Sequence, residues 1–210
     1  HPSLVSQING AFKDPSATIR DSVLQIISKY IIQNEQSSSP YFNVVINCLT
    51  DSSSMVVKRA LGIVGQLTKN TNDESLARLC YLLSTKLNDE SNTVAKAAKD
   101  ILIQVLFEDA EDPTNILVNV IGKTQIRPLW FHEFFDFLYQ KRKFAPKIEE
   151  LIHNSFENAN DKPNYFTCCL IREFCDVFPK ICAEHHEIII SIINSTTVDS
   201  ILTVLPNALN

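Results

Sequence analysis

Few side chains in this sequence stand where they could do chemistry. No glycine-rich phosphate loop, H-E-x-x-H or G-x-S-x-G motif occurs. His132 lies between Phe131 and Glu133 with no nucleophile beside it. Cys175, Cys182, His185 and His186 offer thiol and imidazole donors in a C-x6-C-x2-H-H order. That order fits no ordinary zinc pattern, so the reading is no metal, no cofactor and no catalytic residue. What remains is cationic: Lys58, Arg59 and Lys69 in the tract DSSSMVVKRALGIVGQLTK (51–69), and the run Lys141, Arg142, Lys143. Cations in such clusters recognise carboxylates or phosphates.

The element that must position the first set is a helix starting near Met55, with the polar turn 51–54 placed to cap its unpaired first N–H groups. At 100° per residue, Val56, Ala60, Ile63, Val64 and Leu67 share one face, while Lys58, Gly62, Gly65, Gln66 and Lys69 share the other. A cation in a first turn gains nothing from its own helix dipole. Lys58 and Arg59 therefore face either water or an anionic partner. Gly62 and Gly65 each cost up to about 1 kcal/mol relative to Ala. Close packing of an adjacent helix would account for them, and so would close approach of a phosphate backbone. Lys141 to Lys143 follow an aromatic helix whose C-terminus they favour electrostatically. On that helix Trp130, Phe134, Phe137 and Leu138 share one face, with Phe131 and Phe135 off it. Being apolar nearly all round, it reads as buried core.

The 210 residues carry a net charge of −5 and are 45% hydrophobic, enough for a sizeable core but not the basic balance of a nucleic-acid-coating domain. Four glycines and apolar residues at helical intervals argue for an all-α chain. Six cysteines scattered through apolar stretches suit the cytosol or nucleus. No stretch reads as a signal peptide, and no apolar run approaches the ~18 residues of a membrane helix. The lack of an initiator Met is expected of a piece of something longer.

The first hundred residues repeat. Turns at Asp14, Asp51 and Asp89, 37 and 38 residues apart, each follow one amphipathic helix and open another, and a β-branched core residue comes five positions on: Ile19, Val56 and Val94. That period predicts an α-solenoid of HEAT repeats, in which each helix pair buries its apolar face by stacking on the next. First helices are expected at 4–12, 41–49 and 74–87, and second helices at 17–32, 55–68 and 92–107, with loops at 33–40 and 71–73. Arg20, six beyond Asp14, is placed to bond Asp51 of the next repeat, so Asp14, Arg20, Asp51 and Asp89 form a candidate structural ladder. In the second repeat that slot holds Val57, and the cations stand one and two places later. Residues 1–107 thus form three pairs. Beyond an acidic break at 108–113, residues 108–210 read as degenerate pairs continuing the solenoid, with helices near 116–121, 128–141, 146–158, 163–177, 181–193 and 198–209.

The order of DPSATIRDSVLQIISKYI (14–31), SMVVKRA (54–60), LNDES (87–91) and LF (106–107) resembles the cohesin-loader family of Nipped-B and Mis4 type. Its repeats of the form D-x-S-x-x-V-R precede an S-V-R-K-R segment and an R-x-(N/D)-D-E-E segment ending in L-W-F. FCDVFPKIC (174–182) resembles the helix before the family's C-terminal hook. Here Val57 replaces the first Arg of S-V-R-K-R, and the acidic pair after Asp89 is reduced to Glu90. The resemblance implies a nuclear, chromatin-bound, hook-shaped scaffold. It would bind the cohesin SMC ATPase heads and the kleisin subunit, clamp double-stranded DNA and stimulate ATP hydrolysis by the heads. It would have no active site of its own, and no membrane or small-molecule partner. Lys58 and Arg59, with Lys69 on the same helix, would face DNA. The alternative is a HEAT adaptor of trafficking or nuclear-transport type without nucleic-acid function.

Overall fold

A computed structural model describes residues 8, 10–33, 39–123, 128–161 and 164–195, and their regular structure is helical throughout. No described helix is long and apolar enough to cross a membrane. The chain divides after Glu111 into two compact units.

The first unit contains α1 (Ala17–Gln33), α2 (Ser39–Asn47) with a 3-10 turn at Cys48–Thr50, α3 (Ser54–Leu67), α4 (Asp73–Ser84) and α5 (Asn92–Gln104), which runs into a π turn at Val105–Asp109. The second helices α1, α3 and α5 stack in that order, and α2 packs on α4 in the other layer. This is the two-layer arrangement of HEAT repeats. α2 begins at Ser39, inside the predicted loop, because Pro40 falls in a first turn where its missing N–H costs nothing. The predicted first helix at 4–12 lies largely outside the described residues.

The repeat is carried by its turns. Asp14, Asp51 and Asp89 each accept a hydrogen bond on Oδ1 from the backbone N–H of the serine two residues on, at 2.7, 2.8 and 3.0 Å. The aspartate, not the serine, orders the turn, since neither Ser53 nor Ser91 caps its helix through its side chain. This corrects the capping read from the 51–54 tract, and the reason is local: an Asp carboxylate reaches the i+2 amide more readily than a Ser hydroxyl reaches N3.

On α3 the five predicted core residues are buried, and so are Val57 and Leu61. The apolar arc is wider than one stripe because α1, α2 and α5 cover α3 from three sides. Each such side chain contributes about 1.5–3 kcal/mol on burial. Val56 and Val94 are 0% and 1% exposed, but Ile19 is 43% exposed, against expectation. The first helix of its pair falls largely outside the described residues.

The second unit contains α6 (Pro113–Lys123), α7 (Leu129–Tyr139), α8 (Ala145–Asp161), α9 (Tyr165–Val177), α10 (Pro179–Cys182) and α11 (His186–Ser195). α9 packs against α6, α7 and α8, and α11 against α8. The predicted continuous helix 181–193 is interrupted by a 3-10 turn, Ala183–His185, where His185 stacks on Phe156 at 4.5 Å. The predicted piece at 198–209 lies outside the described residues. On α7 the buried set is Phe131, Phe134, Phe135 and Leu138, with Phe137 37% exposed. The predicted face is thus rotated, because α8 and α9 approach α7 together and draw Phe131 and Phe135 onto Phe174, at 5.2 and 5.5 Å.

Candidate nucleic-acid interface

The structure brings Arg20 and Asp51 together. The guanidinium donates from Nε to Oδ2 and from Nη2 to Oδ1, both at 2.7 Å, and its Nη1 donates to the carbonyls of Asp14 and Pro15. Both side chains are 12% exposed. The Arg20 hydrogen bond, aided by the Ser53 amide, holds the Asp51 carboxyl below its ordinary pKa. One arginine thus ties the turn of its own repeat to the turn of the next. Among the described residues Asp89 has no such rung from the preceding helix, since the ladder slot holds the buried Val57. Its carboxylate lies 3.8 Å from Lys86 of its own turn.

Lys58 and Arg59 part company. Arg59 reaches back to α1 and donates to both carboxylate oxygens of Asp21, at 3.0 and 3.2 Å. That is a second rung, outside the predicted ladder, with Arg59 41% exposed and Asp21 14%. Sequence reasoning missed Asp21, although it stands seven places past Asp14 as Lys58 stands seven past Asp51. Lys58 is exposed and forms no ion pair among the described residues.

Lys69, in the 3-10 turn Thr68–Asn70, is exposed as well. It lies on the Lys58 side of the helix, roughly 16 Å further along at 1.5 Å per residue. The same offset of seven from Asp89 gives Lys96, exposed on α5 and also missed from the sequence, though the repeat phase was there to find it. Asp21, Lys58 and Lys96 hold one slot on three stacked helices, so its charge runs negative, positive, positive. Arg59 already answers the negative member.

Between Lys58 and α5 runs an open groove lined by Lys58, Leu61, Gly62, Ala97, Asp100 and Ile101. A Cβ at Gly62 would meet nothing within 4 Å, and one at Gly65 would make ordinary 3.7 Å contacts with Gln104 and Ile101. Neither glycine is there to admit a neighbouring helix, which removes the packing explanation. Gly62 leaves bare backbone on an open surface beside the exposed Lys58.

Below the groove, at the C-terminal end of α3, Gln104 Nε2 donates to the Gly65 carbonyl, Thr68 Oγ1 and Asp109 Oδ2, at 3.0, 3.2 and 2.8 Å, and Thr68 donates to Asp109. This network pins the π turn of α5 onto α3.

In the second unit, Cys175 and Cys182 share a hydrogen bond that lowers the Cys175 pKa and raises that of Cys182. His185 lies over Phe156, with the His153 ring 5.1 Å away. His132, Glu173 and Asp176, 41 and 44 residues apart in sequence, place donor atoms within 4.8 Å of one another. The buried Glu173 is paired there with Arg172 at 2.6 Å and lies within hydrogen-bond distance of His132 Nε2, at 3.2 Å. The buried thiols of Cys48 and Cys80 are pushed up by desolvation, Cys48 to about 11, and all six cysteines are free.

Residues 1–27 and 38–56 match the family of HEAT repeats associated with sister chromatid cohesion. The sister chromatid cohesion protein mis4 of Schizosaccharomyces pombe is 27% identical over 113 residues, which is 53% of this chain and 7% of that protein. Nipped-B-like protein A of Danio rerio is 19% identical over 208 residues, 94% of this chain and 8% of that protein. The chain therefore spans under a tenth of the length of either relative. In fold it is similar to the C-terminal fragment of the Chaetomium thermophilum cohesin loader SCC2, with a TM-score of 0.77 at 17% identity over 92% of this chain and 16% of that one.

Proposed function

We propose that this chain is a non-enzymatic scaffold segment of a nuclear, chromatin-associated protein of cohesin-loader type; the match of residues 1–27 and 38–56 to HEAT repeats associated with sister chromatid cohesion and the likeness to mis4 support that reading. In this reading it engages the cohesin SMC ATPase heads and kleisin, holds double-stranded DNA against them and stimulates their ATP hydrolysis. The DNA-facing element is α3. One observation carries it: in a chain of net charge −5, Lys58 stands exposed, with no ion pair among the described residues, beside the open backbone of Gly62. Lys69 extends that face into the 3-10 turn that follows α3, and Lys96 repeats it on α5. Arg59 contributes the charge that remains after its exposed pair with Asp21. An acidic protein needs only a few cations where the duplex lies, because each phosphate contact acts through local counterion release.

The test is duplex DNA binding by the chain, alone and with cohesin, as salt is raised. Lys58→Gln is expected to lower the magnitude of the log K against log salt slope by about 1 with thermal stability unchanged. Arg59→Gln is expected to do less to the slope and to destabilise by about 0.2–1 kcal/mol, the range of an exposed ion pair. An unchanged slope for both would remove α3 from the DNA site. Recovery from cells of transport or coat components without cohesin subunits would favour the adaptor reading instead.

A further inference from the structure

The densest basic run of the sequence, Lys141 to Lys143, takes no part in the reading above, and the structure alters what it can be. All three residues are exposed in the turn between α7 and α8, and none forms an ion pair among the described residues. Two of the nearest acids in the chain are engaged elsewhere: Asp136 accepts from Gln140 at 3.0 Å, and Glu149 from the Tyr139 hydroxyl at 2.9 Å. The dipole of α7 favours cations at its end, but the run also abuts the start of α8, a 17-residue helix with no acid in its first turn. The two helix ends therefore offset one another, and no carboxylate among the described residues forms an ion pair with the three cations.

We propose that this turn is a second polyanion-binding surface, fitted to the phosphate backbone of a nucleic acid duplex. The local geometry narrows the partner. The Lys141 ammonium lies 4.2 Å from the centroid of the half-exposed Phe137 ring, and that of Lys143 lies 4.5 Å from the buried Phe144 ring. Each ammonium itself lies over an aromatic face, a cation–π contact, in a residue that remains exposed. The ring faces so covered are not offered to stacking bases, so the surface reads phosphates and not sequence. Three consecutive cations in one exposed turn can each meet one of the closely spaced charges of a duplex, on the order of one per 1.7 Å of helix axis.

This inference rests on the reading that the chain acts on DNA, and one experiment separates the two. Binding of a duplex of about 30 base pairs to the chain is measured from 50 to 300 mM salt for wild type, Lys58→Gln and the triple variant Lys141→Gln/Arg142→Gln/Lys143→Gln. Circular dichroism first checks that each is folded. If the triple variant unfolds, Arg142→Gln alone takes its place, with about a third of the effect. The triple variant is expected to lower the slope magnitude by about 2–3, equally for unrelated duplex sequences. A slope changed by Lys58→Gln but not by the triple variant overturns this surface and leaves the α3 reading standing. Absence of DNA binding by wild type overturns both. Binding of polyglutamate more tightly than of duplex at equal charge concentration, lost in the triple variant, overturns the nucleic acid assignment in favour of an acidic polypeptide.

Discussion

At the scale of single residues the first unit rests on a division of labour among its cations. Arg20 is structural, Lys58 is exposed with no ion pair among the described residues, and Arg59 is divided between a rung to Asp21 and the solvent. The first of these has a pH signature. Asp51 is held below its ordinary pKa in the folded chain, chiefly by the Arg20 hydrogen bond, so its ionised form favours the native state. Its contribution is complete above the unfolded carboxyl range near ~4 and is lost as pH falls through the lower folded value. Asp51→Asn should therefore lower the melting temperature at pH 7, and the gap to wild type should narrow as pH falls below about 4. Thermal melts at pH 7, 5 and 3 check this, and a gap that stays constant with pH would mean that the carboxylate charge is not what holds the rung.

At the scale of elements the groove between α3 and α5 deserves its own test, because its open side exists where Gly62 supplies no side chain. A methyl group there meets no atom within 4 Å, so only helix propensity decides the sign. Gly62→Ala should stabilise the chain by about 0.5–1 kcal/mol in urea denaturation. If DNA approaches this backbone, the same variant should bind it more weakly despite its stability.

The elements were largely legible in the sequence because the 37- and 38-residue spacing of Asp14, Asp51 and Asp89 registers both the turns and the helices that follow them. Periodicity could also pick out the core of α3. It could not set the buried arc of α7, since which side of an all-apolar helix is covered depends on neighbours such as Phe174, some 40 residues away in sequence. The site was half legible for the same reason. A helical wheel shows that Lys58 and Arg59 both leave the core, but only the placement of α1 shows that Asp21 meets one of them and not the other. Lys96 could have been found by extending the repeat phase one step further.

At the scale of the whole molecule, free cations on an acidic chain should give DNA binding an unusual dependence on ionic strength. Near 0.1 M salt the screening length is about 10 Å, so a phosphate beside Lys58 or the Lys141–Lys143 turn senses the charges of that site and little else. At 0.01 M it is about 30 Å, which takes in charges across a domain of ordinary size, and the net −5 then repels the duplex. Affinity should accordingly rise with a steady slope as salt is lowered from about 300 to 100 mM, then flatten below about 30 mM. A generic basic DNA-binding domain has no such opposing term and keeps climbing. Titrations from 10 to 300 mM salt would reveal the bend, and a straight line through the whole range would mean that the binding surface is screened from the rest of the chain or more basic than its exposed lysines and arginines account for.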